Sequence, residues 1–319
     1  MGEEAMAIKK PELLVTAGSL EEIRAYIKAG ATAVQIGEAR YGMRLPGDIT
    51  RGQLKEAVQL AHDLGGKLYI VANNIMSNEV LDELPDYLRS VQDSGADALV
   101  FGDPAVLISM KQAGVQLPLH WNPEMTATNY ATANYWASKG AVRFVLAREL
   151  NEQEIHEIKA NTAMEVELQV HGMTNIFHSK RRMVSAYQGH LGADKEGESE
   201  GKYGVDKQMI LIEAERQEEK YPVYEDVNGT HIMSSDDLCL LEIAHELIDI
   251  GIDSFKVESF MKSREYVEAV LRIYRMAIDA YSDNPSDYEC REEWLEALQE
   301  IQPKDRELSF GFMFKEQVY

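Results

Sequence analysis

One punctuation recurs along the chain: an amphipathic helical stretch, then glycine, then a short apolar run. Gly30 precedes Ala33-Val34-Gln35-Ile36, and Gly65 and Gly66 precede Lys67-Leu68-Tyr69-Ile70-Val71. Gly95 precedes Ala98-Leu99-Val100-Phe101, and Gly114 precedes Leu117-Pro118-Leu119-His120. Gly140 precedes Val142 to Leu146, and Gly251 precedes Ser254-Phe255-Lys256-Val257. A helix commonly ends on a left-handed residue, which glycine adopts without steric cost. The short run that follows fits a buried parallel strand. Two further runs fit without the glycine: Glu12 to Val15, and Met164 to Val170 after Asn161. Helix starts agree, since Ser19-Leu20-Glu21-Glu22 and Asn151-Glu152-Gln153-Glu154 have capping-box spacing. Eight strands, each with a following helix, predict an α/β protein with a closed (β/α)8 TIM-like barrel; a doubly wound open sheet is the alternative.

The repeat is interrupted once, between the seventh strand and its helix, from His171 to Ser235. This segment holds a Gly- and Glu-rich stretch, Gly192 to Gly204, then Met209-Ile210-Leu211-Ile212, then Tyr221 to Val227. Asn228-Gly229 follows, then Thr230-His231-Ile232-Met233. Asn-Gly between such runs predicts a hairpin, hence a small antiparallel β insertion on the barrel mouth. The expected organisation is one barrel domain over 1–282, with the insertion at 171–235. An acidic extension, 283–319, would pack on or near it.

Lys+Arg is 32 against 54 for Asp+Glu, a formal net charge of −22. That excludes a generally basic, phosphate-coating surface, though not a local basic contact. The two cysteines, Cys239 and Cys290, make neither a disulfide framework nor a four-ligand metal site and suit a reducing cytoplasm. No secretory signal and no run of about 18 apolar residues occur, so no membrane association is expected.

Several catalytic motifs fail. No P-loop, G-x-G-x-x-G or G-x-S-x-G occurs. His156-Glu157 and His245-Glu246 begin like the zinc motif H-E-x-x-H, but Ala160 and Asp249 stand where its second histidine would be. Cys239 reads as a buried thiol at the start of an apolar helix.

In a barrel, residues following each strand converge on one mouth, where barrel enzymes place their chemistry. These are Glu38, Asn73, Asn74, Asp103, Asn122, Glu124, Arg148, Glu149, His171 and Glu258, with Lys256 on the last strand. Asp103 and Asn122 could instead cap helices. Arg148, Glu149 and His171 are the candidate catalytic residues, and Asn74, Asn122, Glu124, Lys256 and Glu258 the candidate binding residues. Lys180-Arg181-Arg182 is conspicuous in so acidic a chain: either a solvated loop or an anion site for carboxylate or phosphate.

Five segments carry a resemblance. They are Pro11 to Leu20, Val145-Leu146-Ala147-Arg148-Glu149-Leu150, Val170-His171-Gly172, Tyr221 to Ser235 running into Asp237-Leu238-Cys239, and Asp253 to Glu258 with Met261-Lys262-Ser263. In this order they resemble the U32 peptidase family, also called collagenase-like peptidases. The short length and the His-Gly-Met-Thr-Asn run resemble the smaller of two paired subunits within it. That pair is associated with prephenate-dependent 5-hydroxylation of the wobble uridine of tRNA.

The resemblance implies a larger U32 partner, contact with tRNA, and prephenate as co-substrate, for which Arg148 and Lys180 to Arg182 would be the anion contacts. It also implies an iron–sulfur cluster, expected only in the partner. Cluster-bearing members read His-Gly-x-x-Cys with a second cysteine seven residues on, and Asn175 and Arg182 stand at those positions here. Only Cys239 falls where a fourth ligand lies, and one thiolate cannot hold a cluster that needs four. The family's Glu-Gly-Arg after strand eight is Glu258-Ser259-Phe260. These departures imply a non-catalytic subunit or a changed chemistry. A peptidase and a purely structural scaffold remain the alternatives.

Overall fold

The structure, a computed structural model, describes residues 8–192 and 201–316. Most of the Gly- and Glu-rich stretch therefore lies outside the described residues. The first part of the chain alternates strand and helix: β1 (Glu12–Thr16), α1 (Leu20–Lys28), β2 (Ala33–Gly37), α2 (Leu54–Asp63) and β3 (Lys67–Ala72). A short α3 (Asn78–Leu81) precedes α4 (Leu84–Ser94), β4 (Ala98–Phe101) and α5 (Pro104–Ala113). Then come β5 (Leu119–Trp121), α6 (Tyr130–Ser138), β6 (Ala141–Val145), α7 (Glu152–Ala160) and β7 (Glu165–Ser179). The insertion contributes α8 (Met183–His190), β8 (Met209–Ile212), β9 (Lys220–Asp226) and β10 (Gly229–Cys239). The chain continues through α9 (Ala244–Ile250), β11 (Ser254–Val257), α10 (Arg264–Asp283), α11 (Glu292–Ile301) and β12 (Leu308–Ser309).

Strands β1 to β7 pair in parallel with their neighbours, and β11 pairs in parallel with both β7 and β1. The ring of eight is thus closed and has no free edge, so the protein is a TIM barrel with extra strands outside it. The helix-ending glycines behave as their positions require. Gly95, Gly114 and Gly251 cap α4, α5 and α9 with φ of 81°, 69° and 88°, where a side chain would be strained. Both helix starts hold: Ser19 Oγ accepts from Glu22 N, and Asn151 and Glu154 form a full capping box.

The main core lies between ring and helices, including Val15, Phe101, Phe144, Val257 and the inner face of α10. The ring's interior holds an apolar cluster of Leu14, Ala33, Tyr69, Val71, Ala98 and Val100. Against its Tyr69 lies a charged cluster: Arg143 bonds Glu12 at 2.6 Å, Glu165 at 2.8 Å and the fully buried Glu167 at 3.3 Å.

Two expectations are corrected. Strand seven does not end at Val170, and His171 to Ser179 is not a loop: β7 runs on to Ser179. It does so because its outer half pairs antiparallel with β10, from Cys239 opposite His171 to Thr230 opposite Ser179. For the same reason Cys239 does not open a helix. It ends β10, Leu240 N still bonds Val170 O at 2.9 Å, and α9 begins only at Ala244. The hairpin falls where Asn228-Gly229 placed it, with Gly229 paired to Asp226.

The extension folds back. Trp294 and Leu298 of α11 are buried, and β12 pairs in parallel with β10. Glu152 N then bonds Met313 O at 3.0 Å, which draws residues 307–315 over the ring's C-terminal end.

Candidate functional site

At that end lies a cavity of about 520 Å³. Its floor is made by residues at the strand C-termini, among them Thr16, Gln35, Val71, Asn122, Gln169 and Lys256. Its walls include Arg44 and Asn175, and Phe310 and Phe312 of the extension close over it.

A polar cluster on the cavity lining is built on Glu124. Arg44 Nη2 and Arg148 Nη2 both reach its Oε2, and Asn73 Nδ2 donates to Oε1 at 3.0 Å. Asn122 Oδ1 accepts from Glu124 N at 3.2 Å and so fixes the turn rather than capping α6, whose cap is Asn129. Burial alone would raise the Glu124 pKa, but the guanidiniums of Arg44 and Arg148 hold it at about 2. Burial lowers the Arg148 pKa, with Glu124 opposing. Asn175 satisfies both its neighbours with its oxygen on Arg148 Nη1 at 3.2 Å and its NH2 on Phe177 O at 2.9 Å. Deeper in, Lys256 Nζ pairs with Glu258 at 3.1 Å. Burial opposes the Lys256 charge, but Glu258, Glu167 and Glu124 outweigh it and raise its pKa. Beside Glu258 the backbone of Gly172 passes so close that a Cβ would lie 2.4 Å from Glu258 O.

The structure thus brings together Asn73, Asn122, Glu124, Arg148, Lys256 and Glu258. It does not bring in the others. Asn74 is buried beside the mouth and donates to Asn228 Oδ1 at 2.6 Å, tying the hairpin turn to the barrel. Glu149 is half-buried beyond the cavity lining. Asp103 caps α5 through Ala105 N at 2.8 Å. Lys180, Arg181 and Arg182 are exposed on the insertion, with Lys180 Nζ on Ile75 O.

His171 points the other way. Between β7 and β11, Gln169 pairs with Lys256 but His171 with Val257, so β7 holds one extra residue at Val170. That bulge flips the alternation: Gln169 faces the cavity with Lys256, and His171 faces the outer core with Val257. There His171 Nε2 meets Tyr266 Oη at 2.8 Å, and burial pushes its pKa down to about 3. As a placement of a candidate catalytic residue this is a correction: His171 does not line the cavity.

Sequence reasoning missed Arg44, Gln35 and Thr16 in the cavity. Gln35 and Thr16 sit within strands rather than after them, and Arg44 lies well along the loop after β2. The available signal for the first two was strand parity, since each shares a face with a residue near its strand's end.

The residues at the family's cluster positions do not fit such a group. Asn175 opens onto the cavity, Arg182 is exposed at the start of α8, and Cys239 is buried with its Sγ 4.0 Å from Tyr274 Oη. The whole sequence has only two thiols, and these three positions face different surroundings. No helix of the described residues is long and apolar enough to cross a membrane.

The sequence matches the model of peptidase family U32 over residues 18–318. It is 48% identical over 313 residues to tRNA hydroxylation protein P2 of Bacillus subtilis (strain 168), covering 98% of this chain and 100% of that protein. It is 32% identical to tRNA hydroxylation protein P1 of the same organism, over 95% of this chain and 71% of that one. A collagenase of Porphyromonas gingivalis is 24% identical over 92% of this chain and 71% of its own length.

Proposed function

The chain belongs to peptidase family U32, and from that premise we propose that it is a subunit acting in tRNA hydroxylation. The reaction is the 5-hydroxylation of the wobble uridine with prephenate as co-substrate. One observation carries this reading: the end-to-end 48% identity to a protein named for tRNA hydroxylation. The partner in this reading is a larger U32 chain of the P1 kind, and the iron–sulfur cluster belongs to that partner. The present chain, with two thiols, has no ligand set for it. Its own residues bind and orient. The cavity suits a small molecule, and exposed Lys180, Arg181 and Arg182 suit contact with tRNA phosphates.

The peptidase reading is less well supported. The cavity's lining contains no cysteine, and two of its carboxylates, Glu124 and Glu258, are engaged with Arg44, Arg148 and Lys256. Cys239 and His171, which stand opposite one another like a thiol–imidazole pair, are buried away from it.

The test is deletion of the gene, with the wobble nucleosides of tRNA measured by mass spectrometry. Loss of 5-hydroxyuridine derivatives, restored by the wild-type gene, is the expected result. Normal derivatives in the deletion strain, with no second copy of the gene, refute the reading. If Arg148→Ala restores modification fully while loss of partner binding abolishes it, the chain is a scaffold instead.

A further inference from the structure

We propose that the cavity is a carboxylate-binding site whose ligand position is held by the chain's own Glu124 between Arg44 and Arg148. It deepens the reading above and rests on it for the choice of carboxylate, but the site itself is argued from geometry.

Two guanidiniums from different loops converge on one oxygen, Glu124 Oε2, with the three side chains only 10%, 14% and 18% exposed for Arg44, Arg148 and Glu124. Both Arg44 and Glu124 hold left-handed backbone, at φ of 53° and 70°, a conformation that side chains other than glycine rarely take. The contact is therefore made against local preference at both ends, and such outliers gather at ligand clamps.

The second observation is independent of that ion pair. Three buried polar atoms of the cavity lining have no partner: Arg44 Nη1, Gln35 Nε2 and Thr16 Oγ1. The first two can only donate, and the hydroxyl can donate. Buried donors are normally satisfied, so the empty role here is that of an acceptor. A ligand carboxylate taking the place of Glu124 meets both arginines in the forked geometry that guanidinium offers. Phe310 and Phe312 on the cavity's roof suit a ligand with an apolar body attached to its carboxylate.

The test is calorimetric titration of the purified protein with prephenate, with inorganic phosphate as the competing anion. Glu124→Gln removes the internal competitor and is expected to bind prephenate at least tenfold more tightly than wild type. Arg44→Lys keeps the charge but loses the fork, and is expected to bind at least tenfold more weakly. Unchanged affinity in Arg44→Lys overturns the proposal, whether or not Glu124→Gln folds. So does a folded Glu124→Gln that binds no better than wild type, or no prephenate at all. Phosphate that competes as strongly as prephenate overturns the carboxylate assignment in favour of a general anion site. Normal tRNA hydroxylation in the deletion strain would refute the tRNA reading and leave these affinities untouched, so the two failures are distinguishable.

Discussion

His171 and Cys239 are register partners on β7 and β10, and both side chains meet Tyr274 of α10 rather than the cavity. A thiol beside an imidazole is the outline of a nucleophilic pair, but the surroundings cancel both roles. Burial pushes the Cys239 thiol pKa up and the His171 pKa down, so each is held neutral. The thiolate, not the thiol, is the nucleophile.

Cys239 is accordingly expected to resist thiol reagents in the native protein. Ellman titration at mildly alkaline pH should modify it only on denaturation, and Cys239→Ala should leave tRNA hydroxylation at the wild-type level. Rapid native-state labelling of Cys239, mapped by mass spectrometry, contradicts this placement.

Acid should destabilise the protein in two overlapping windows. Asp237 is fully buried, bonded to Lys262, to Arg306 Nη2 at 2.8 Å and to Gln302 Nε2 at 2.6 Å. Burial opposes its charge, but Lys262 and Arg306 hold its pKa at about 2, below the unfolded value. Its contribution, about 2 kcal/mol, is complete above pH ~4 and lost as pH falls towards 2. His171 is neutral when folded and takes up a proton when unfolded. Its contribution is therefore complete above pH ~6.5 and lost as pH falls towards 3. Denaturant melts from pH 7 to 3 should fall steadily, and the fall between 6.5 and 4 should flatten in His171→Gln. An unchanged slope in that variant would remove His171 from the account.

Arg143 is the counterion for the buried carboxylates Glu12 and Glu167 of the barrel. Arg143→Met should cost about 3–5 kcal/mol, because Glu167 then stays buried without its partner. Glu167→Gln in the same chain should return part of that loss. Additive losses in the double variant, measured by urea unfolding, would mean that the two residues do not act as a pair.

The insertion is pinned at its hairpin turn. Asn228 accepts from Asn74 and donates to Ala39 O at 3.0 Å, joining the turn to two barrel loops. Asn228→Ala should cost about 1–3 kcal/mol for the groups left unpaired. Amide exchange should then quicken in β9 and β10 while β1 to β6 stay protected. Uniform loss of protection would instead indicate that the insertion and barrel unfold together.

What the sequence determined by itself was everything carried by local period and punctuation. Gly95, Gly114 and Gly251 ended helices because only glycine accepts their φ cheaply, and the runs after them became parallel strands. Eight such units announced the ring, and Asn228-Gly229 announced the hairpin. The family likewise followed from short ordered segments, and strand ends led to Glu124, Arg148, Lys256 and Glu258 in one cavity. The tertiary structure alone decided which way side chains point and what they meet. One extra residue at Val170 turned His171 from the mouth to the outer core, and no local pattern marks a bulge that exists only relative to β11. Pairing with β10 turned an expected loop into strand and carried Cys239 to its end. Arg44 reached Glu124 from a distant loop, and the extension closed over both. Ion pairs and cavities are relations between segments far apart in the chain, so their physics appears only once the chain has brought those segments together.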